Sequence, residues 1–508
     1  MSPAPLLSRR ASAFYAATLA GAVAAFLVIR SYGEQLIPPA AVAPAGRAAG
    51  AESAVSPFFH VLLAMAAVIL VGRILGRALA SIRQPPVVGE VVAGILLGPS
   101  LLARISPAAS AYVLPASTAP LLNAVAQLGV TLYMFVVGLD LNLDRVRQRA
   151  ESTILTSHAS IVAPFVLGSL LSLYLYPRLA PSGVPFTSFA LFIGVAMSIT
   201  AFPVLARILA DRRMTSSELG TIALTCAAVD DVTAWCLLAV VVGVAQSTLH
   251  GAGVVVLSTL AFITLMVTVV RPAIVQFMVH GQHKRAGAGA ATPVAPAGAG
   301  ALIVPGALAR PRPAEQGDAN EAVAPGNGII GAALAGMLLS ALTTEWIGVH
   351  AIFGAFLFGA VIPHDSAVAR TLGDKLKDLV TILLLPAFFA FAGMRTRLDL
   401  VSGPGEWFIC ALIVAVATLG KFGGSYAAAR FTGMPVRKAA GLGILLNTRG
   451  LMELIVLNIG LDLGVISPAL FTMMVLMALA TTVATTPVLE RLFPSAAALQ
   501  SSRLTEAR

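Results

Sequence analysis

The sequence predicts an all-α polytopic membrane protein, with thirteen core transmembrane helices and an extra apolar helix ahead of them. Three observations carry this. Hydrophobic residues make up 58% of the 508-residue chain and charged residues 11%, against about 25% charged in ordinary soluble domains. Mean hydropathy is +0.89. The apolar residues gather into stretches close to the roughly 20 residues that a membrane-spanning helix needs.

The first stretch, Phe14 to Ile29, follows Arg9 and Arg10. A basic start before an apolar run is common to signal peptides and N-terminal helices. The Ala/Pro/Gly-rich segment Pro38 to Ala54 offers no obvious single cleavage site, which favours a retained helix. Residues 1–56 therefore read as this helix or signal-like segment plus a linker.

The first part of the membrane domain, 57–283, holds seven spans: Pro57–Leu75, Val87–Leu102, Leu121–Leu139, Ile154–Tyr176, Phe186–Leu205, Leu219–Ala245 and Val254–Val270. Residues 284–326 are rich in Ala, Pro and Gly without apolar periodicity, the composition of a disordered cytoplasmic loop. The second part, 327–490, holds six more: Ile329–Thr344, Ile347–Ile362, Leu379–Met394, Trp407–Tyr426, Ala439–Ile459 and Pro468–Leu489. Residues 491–508 read as a short cytoplasmic tail.

The net charge of +10 is spread in small clusters between apolar stretches, among them Arg77/Arg83, Arg145/Arg147/Arg149, Arg207/Arg212/Arg213, Arg370/Lys375/Lys377 and Arg437/Lys438. Clusters of this kind set topology in a bilayer. They do not form the separate basic domain that a nucleic-acid partner would require. With the N-terminus placed in the cytoplasm, about 24 of the basic residues fall inside and about 6 outside, as the positive-inside rule demands. That places the chain in a cell (inner) membrane with a cytoplasmic C-terminus. Cys226, Cys236 and Cys410 lie in apolar segments without metal-binding or disulfide spacing, so they read as packing residues.

Two adjacent acids, Asp230 and Asp231, interrupt the apolar run from Leu219 to Ala245. A charge at the bilayer centre costs about 2.5–3.5 kcal/mol on insertion scales. Long apolar flanks on both sides argue against a helix end at the interface. Successive helical residues point about 100° apart, so one acid can face a cavity while the other turns to a neighbouring helix. A buried carboxyl can bind a proton or a hard cation but not both, and carboxylate oxygen suits alkali metals.

Further donors are expected from the preceding span. Pro203 has no N–H, so the carbonyl of Ile199 loses its helical partner, and Thr200 adds a hydroxyl beside that gap. Broken helices at mid-membrane are a device transporters use to coordinate ions. In the second half, Asn447, Thr448, Arg449 and Glu453 share one span, with Arg449 and Glu453 spaced to pair on one face or to hold two helices together. Lys421, toward the end of its apolar run, either neutralises an aspartate or snorkels to the cytoplasmic surface. Glu90 reads as an interfacial acid. Arg395 reads as an interface anchor or a charge on the outer funnel.

The segments Arg83–Leu102, Leu132–Arg147, "SITAFPVLARIL" (Ser198–Leu209), "AAVDDVTAW" (Ala227–Trp235), "LPAFFAFAGMRT" (Leu385–Thr396) and "NTRGLMELIVLNIGL" (Asn447–Leu461) together resemble the monovalent cation:proton antiporter-2 family. The resemblance runs from about Pro57 to Leu489. It implies a homodimer in which each protomer joins a dimerisation domain to a six-helix core of inverted repeats, with two crossing discontinuous helices. It implies that Asp231 carries the cation and the proton, that Thr200 is a ligand, and that Asp230 pairs with Lys421 as in electrogenic members. The metal-binding set is then Asp231, Asp230 and Thr200.

The expected activity is antiport of Na⁺ or K⁺ against protons, with the bilayer as partner and no cofactor beyond the transported ions. A Kef-like potassium efflux channel or transporter is the alternative. The large cytoplasmic C-terminal region of Kef and plant members is not expected. An intramembrane aspartyl protease is disfavoured, because its dyad needs two acids on separate helices facing one water.

Overall fold

A computed structural model describes residues 9–37, 39, 57–82, 84–140, 150–215, 217–246, 249–276 and 326–493. The expected loop at 284–326, apart from Gly326, and the tail from 494 onward lie outside the described residues, as does the Arg145/Arg147/Arg149 cluster.

The described chain is helical in the order the hydropathy predicts, and among the described residues no strand occurs. In chain order the helices are α1 (Arg9–Gly33), α2 (Pro57–Ser81), α3 (Pro86–Leu97), the short α4 (Leu102–Ile105) and α5 (Pro107–Val113), α6 (Ala119–Asp140), α7 (Ala150–Leu179), α8 (Phe186–Ser198), α9 (Phe202–Asp211), α10 (Glu218–Gln246) and α11 (Leu249–Leu265). They continue with α12 (Asn327–Ile347), α13 (Ala351–Val361), α14 (Ala367–Leu379), α15 (Leu385–Met394), α16 (Pro404–Phe431), α17 (Val436–Leu446), α18 (Leu451–Asp462) and α19 (Pro468–Leu492). A π-helical turn, Val380–Leu384, joins α14 to α15 without a break. That span therefore begins twelve residues before the expected Leu379, at Ala367. Its first part is amphipathic and carries Arg370, Lys375 and Lys377, so a hydropathy reading starts too late. The expected single span Ala439–Ile459 is two half-helices, α17 and α18.

Packing follows a repeated scheme. The segments α2–α3–α6 and α12–α13–α14/α15 form one bundle, in which α3 packs on α15 and α6 on α13. The segments α7–α8/α9–α10 and α16–α17/α18–α19 form the other, in which α7 packs along α16. The second element of each triplet thus meets the third of its counterpart in the first bundle, and the first elements meet in the second bundle. This is the contact pattern of an internal two-fold. Among the described residues six spans lie between each pair of counterparts, and an even number between them makes the counterparts run in opposite directions.

Glycine makes the close crossings of the first bundle possible. A Cβ on Gly393 would collide with the Val91 carbonyl oxygen, and one on Gly138 with that of Phe356. With no hydrophobic drive between helices in lipid, small residues at the contact are what allow tight association. The variant Gly393→Val is expected to destabilise the bundle by about 1–3 kcal/mol through overpacking, seen as a lower melting temperature in detergent. Gly331→Ala, where an added Cβ meets nothing within 4 Å, is the control that leaves it unchanged.

Helix α1 lies outside both triplets and packs along α7 and α8. Its buried residues Ala22 and Ile29 face that side, and Phe26 meets Phe165 at 5.8 Å between ring centroids. The Gly33 end abuts the Phe186 ring. The first apolar stretch is thus helical and docked on the second bundle.

Candidate functional site: two broken helices crossing beside an acid pair

The 13-residue α8 is too short to cross a bilayer, since a span needs about 20 residues. It ends in an extended break, Ile199–Ala201, before α9 resumes at Phe202 with Pro203 in its first turn. Proline tolerates a first-turn position and cannot serve further in, which is why the chain breaks here. The second break, Asn447–Gly450, separates α17 from α18.

The breaks cross and satisfy each other. The Ala201 N–H donates to the Thr448 carbonyl at 3.0 Å, and the Thr200 hydroxyl reaches the Leu446 carbonyl at 3.2 Å. Gly450 sits at the crossing, where a Cβ would meet the Val204 side chain at 2.8 Å.

A helix ending inside a protein leaves carbonyls unpaired and a partial negative charge. Two cations take up the end of α8. The Arg449 guanidinium donates to the carbonyls of Ala196 at 3.2 Å and Met197 at 2.6 Å. The Lys421 ammonium donates to the Ser198 carbonyl at 2.5 Å. Arg449 also pairs with Glu453 at 2.6 Å, both side chains fully buried, and its backbone N–H and C=O are held by the Thr482 hydroxyl. Arg449 and Glu453 therefore belong to the frame of the crossing.

The acid pair lies beside this crossing on α10, and its two members differ sharply. Asp230 is fully buried and accepts from Ser157 at 2.5 Å, Ser160 at 2.7 Å, Thr200 at 2.7 Å and Lys421 at 3.1 Å. Its acceptor capacity is taken up. Asp231 is 3% exposed, and its Oδ1 is buried with no hydrogen-bond partner among the described residues. The Asn447 Oδ1, just past the end of α17, is likewise buried and unpartnered. Four residues beyond Asp231, Trp235 stacks on Phe356 of the first bundle at 6.3 Å, so this face of α10 meets the boundary between the bundles. One acid is thus tied into a network and the next presents a bare oxygen there, an arrangement able to bind H⁺ or a small cation.

Each residue singled out in the sequence has a definite place. Asp230, Thr200 and Lys421 converge on one network, but the Thr200 hydroxyl is spent on Asp230 and Leu446 rather than turned to Asp231. Ile199 lies in the extended break with φ −75° and ψ 138°. Lys421 sits in the middle of α16, fully buried, and the snorkelling alternative has no counterpart in its contacts. Arg395 stands apart from the crossing: it pairs with Asp462 at 2.6 Å and bonds Asn458 at 3.1 Å. Glu90 packs against Gly72 of α2. Sequence reasoning missed Ser157 and Ser160. Their signal was a pair of small hydroxyls at i, i+3, on one face of a membrane-spanning helix.

A many-spanning helical bundle with two crossed half-helices and intramembrane charge at the crossing is the architecture of a secondary transporter. Comparison with known proteins narrows this. The family described as sodium/hydrogen exchanger, transmembrane, matches residues 61–294 and 327–493. The chain is 42% identical over 442 residues to the Na⁺/H⁺ antiporter NhaS4 of Synechocystis, covering 86% of this chain and 98% of that protein. It is 35% identical to the cation/H⁺ antiporter 20 of Arabidopsis thaliana, and 29% identical to the K⁺/H⁺ antiporter 1 of Saccharomyces cerevisiae. In each case 86% of this chain matches, over 49% and 47% respectively of those longer proteins. The sodium–proton antiporter MjNhaP1 of Methanocaldococcus jannaschii shares the fold, with a TM-score of 0.57 at 11% identity over 87% of this chain and 99% of that one. The chain belongs to the sodium/hydrogen exchanger family.

Proposed function

We propose that the protein is a secondary active antiporter that exchanges a monovalent cation, Na⁺ or K⁺, for protons by alternating access, with Asp231 as the site both ions share. Membership of the exchanger family supports the reaction class, and the relatives named above are antiporters, so a Kef-like channel is not favoured. The observation that carries the site is the contrast between the two acids: Asp230 has four donors, and among the described residues Asp231 has a buried oxygen with none. A carboxyl of that kind takes either ligand and exchanges one for the other when the site turns from one side of the membrane to the other.

The bundle of α7–α10 and α16–α19 is the moving part, carrying the crossing and both acids. The bundle of α2, α3, α6 and α12–α15 is the fixed scaffold, which dimerises with a second copy. The chain resides in a cell membrane with its C-terminus in the cytoplasm, so the Arg395 end of α15 faces outward.

Purified protein in proteoliposomes, with a pH gradient and a proton-sensitive dye, tests the reaction. Added Na⁺ or K⁺ is expected to discharge the gradient, and alkali-metal flux indifferent to the gradient would sink the reading. The variant Asp230→Asn is expected to retain exchange with changed electrogenicity, because it removes the counter-charge of Lys421 and leaves Asp231 in place. The drive from membrane potential is about 2.3 kcal/mol per charge per 100 mV. An unchanged potential dependence would make Asp230 purely structural.

A further inference from the structure

We propose that Arg395 and Asp462 form a charged latch that holds the moving bundle against the scaffold at the outer face, and that this latch must part each time the site opens outward. The proposal rests on the antiport reading and adds a gating pair to it.

Arg395 follows the last residue of α15, on the scaffold. Asp462 is the last residue of α18, in the moving bundle and on the same broken helix whose crossing frames the acids. Their ion pair at 2.6 Å therefore joins the two bodies that alternating access separates. A second bond from Arg395 reaches Asn458, one turn earlier on α18. The backbone beyond it is pinned as well, with the Arg397 N–H donating to the Thr472 hydroxyl of α19 at 3.0 Å. On the scaffold side Arg395 lies 5.4 Å from the Phe391 ring. The adjoining Thr396 is anchored, its carbonyl accepting from Ser100 at 2.8 Å. His350, which precedes α13 on the scaffold, lies within electrostatic reach of Asp462 and of Glu345. The outer end of α18 thus meets a ring of scaffold groups.

The contacts at the opposite face differ in kind. There the turn between α2 and α3 meets α19 through a neutral bond, Gln84 Nε2 to the Val483 carbonyl at 3.3 Å. Among the described residues an ion pair with two additional bonds joins the bundles at the outer end, and an amide–carbonyl bond joins them near the other. Both charges of the latch keep partial access to solvent, at 22% and 34% side-chain exposure. Such a pair holds a conformation without freezing it, and its loss shifts a two-state equilibrium by up to about fivefold.

The test links the two positions covalently. In a protein carrying Cys226→Ala, Cys236→Ala and Cys410→Ala, the pair Arg395→Cys and Asp462→Cys is bridged with a short bis-methanethiosulfonate. A linker is used because residues joined through an arginine stand too far apart for a direct disulfide, which needs Cα atoms within about 7 Å. Cation-dependent proton exchange in proteoliposomes is expected to fall at least tenfold on bridging and to return on reduction. Exchange undiminished in the bridged protein overturns the latch. If the native protein exchanges no cation for protons, the antiport reading itself fails and the latch falls with it. A charge swap separates gating from folding. Arg395→Asp and Asp462→Arg are each expected to change the apparent affinity for the cation from the outer side by up to about fivefold. Together they restore it. Single variants that leave this affinity unchanged, or a swap that fails to restore it in a folded dimer, overturn the proposal.

Discussion

Proteoliposomes carrying Asp231→Asn are expected to show no cation-dependent proton movement, while the variant folds as the native protein does. Asparagine matches aspartate in shape but takes up no proton at this pH and carries no charge to hold a cation. Among the described residues the Asp231 Oδ1 has no hydrogen-bond partner, so no such bond is broken there. Replacing a buried carboxyl by a neutral amide removes the cost of burying a charge. Activity should vanish with the melting temperature unchanged or raised. Native-like exchange by this variant would refute the assignment. Loss of activity together with loss of folding would assign Asp231 a structural part instead.

The second large effect is on stability. Lys421→Ala is expected to destabilise the protein by about 3–5 kcal/mol, the usual cost of removing one partner of a buried ion pair. Two groups are orphaned at once: the Asp230 carboxylate loses its counter-charge, and the Ser198 carbonyl at the end of α8 loses its donor. Unfolding in mixed micelles measures the change. The double variant Lys421→Ala/Asp230→Asn is expected to recover part of it, since a neutral amide can keep some of the bonds from Ser157, Ser160 and Thr200. A double variant as unstable as the single one would locate the cost in the α8 carbonyl rather than in the ion pair.

These two experiments treat adjacent acids as different devices, and the difference decides how the cycle runs. Asp230 with Lys421 and Arg449 with Glu453 both belong to the crossing and surround the end of one half-helix. Together they let the chain break at mid-membrane without stranding the carbonyls of Ala196, Met197 and Ser198. A frame held this rigidly can move as a body and carry Asp231 from one face to the other. The latch at Arg395 then acts on that body from its outer edge.

Much of the architecture was legible in the residues. The spans follow from runs of apolar side chains, whose burial in lipid depends on composition alone. The first break could be read from Pro203, because a missing N–H disrupts a helix whatever surrounds it. The second break followed only from the family resemblance, since "NTRG" contains no proline and its departure from helix is stabilised by Thr482 and by the Ala201 N–H. The expected start of the α14–α15 span falls too late because a charged, amphipathic first part hides a helix from a hydropathy window.

By itself the sequence determined that this is a membrane protein of many helices, broken at Pro203, with two acids where charge is costly and a lysine and an arginine in the apolar runs that follow. Only the tertiary structure decided which acid is bound and which is bare. Neighbouring residues on a helix point in different directions, and what each meets depends on segments far along the chain: Ser157 and Ser160, 73 and 70 residues before Asp230, and Lys421, 191 residues after it. A hydrogen bond is a contact of a few ångströms, and no spacing along the chain fixes that distance until the helices have packed.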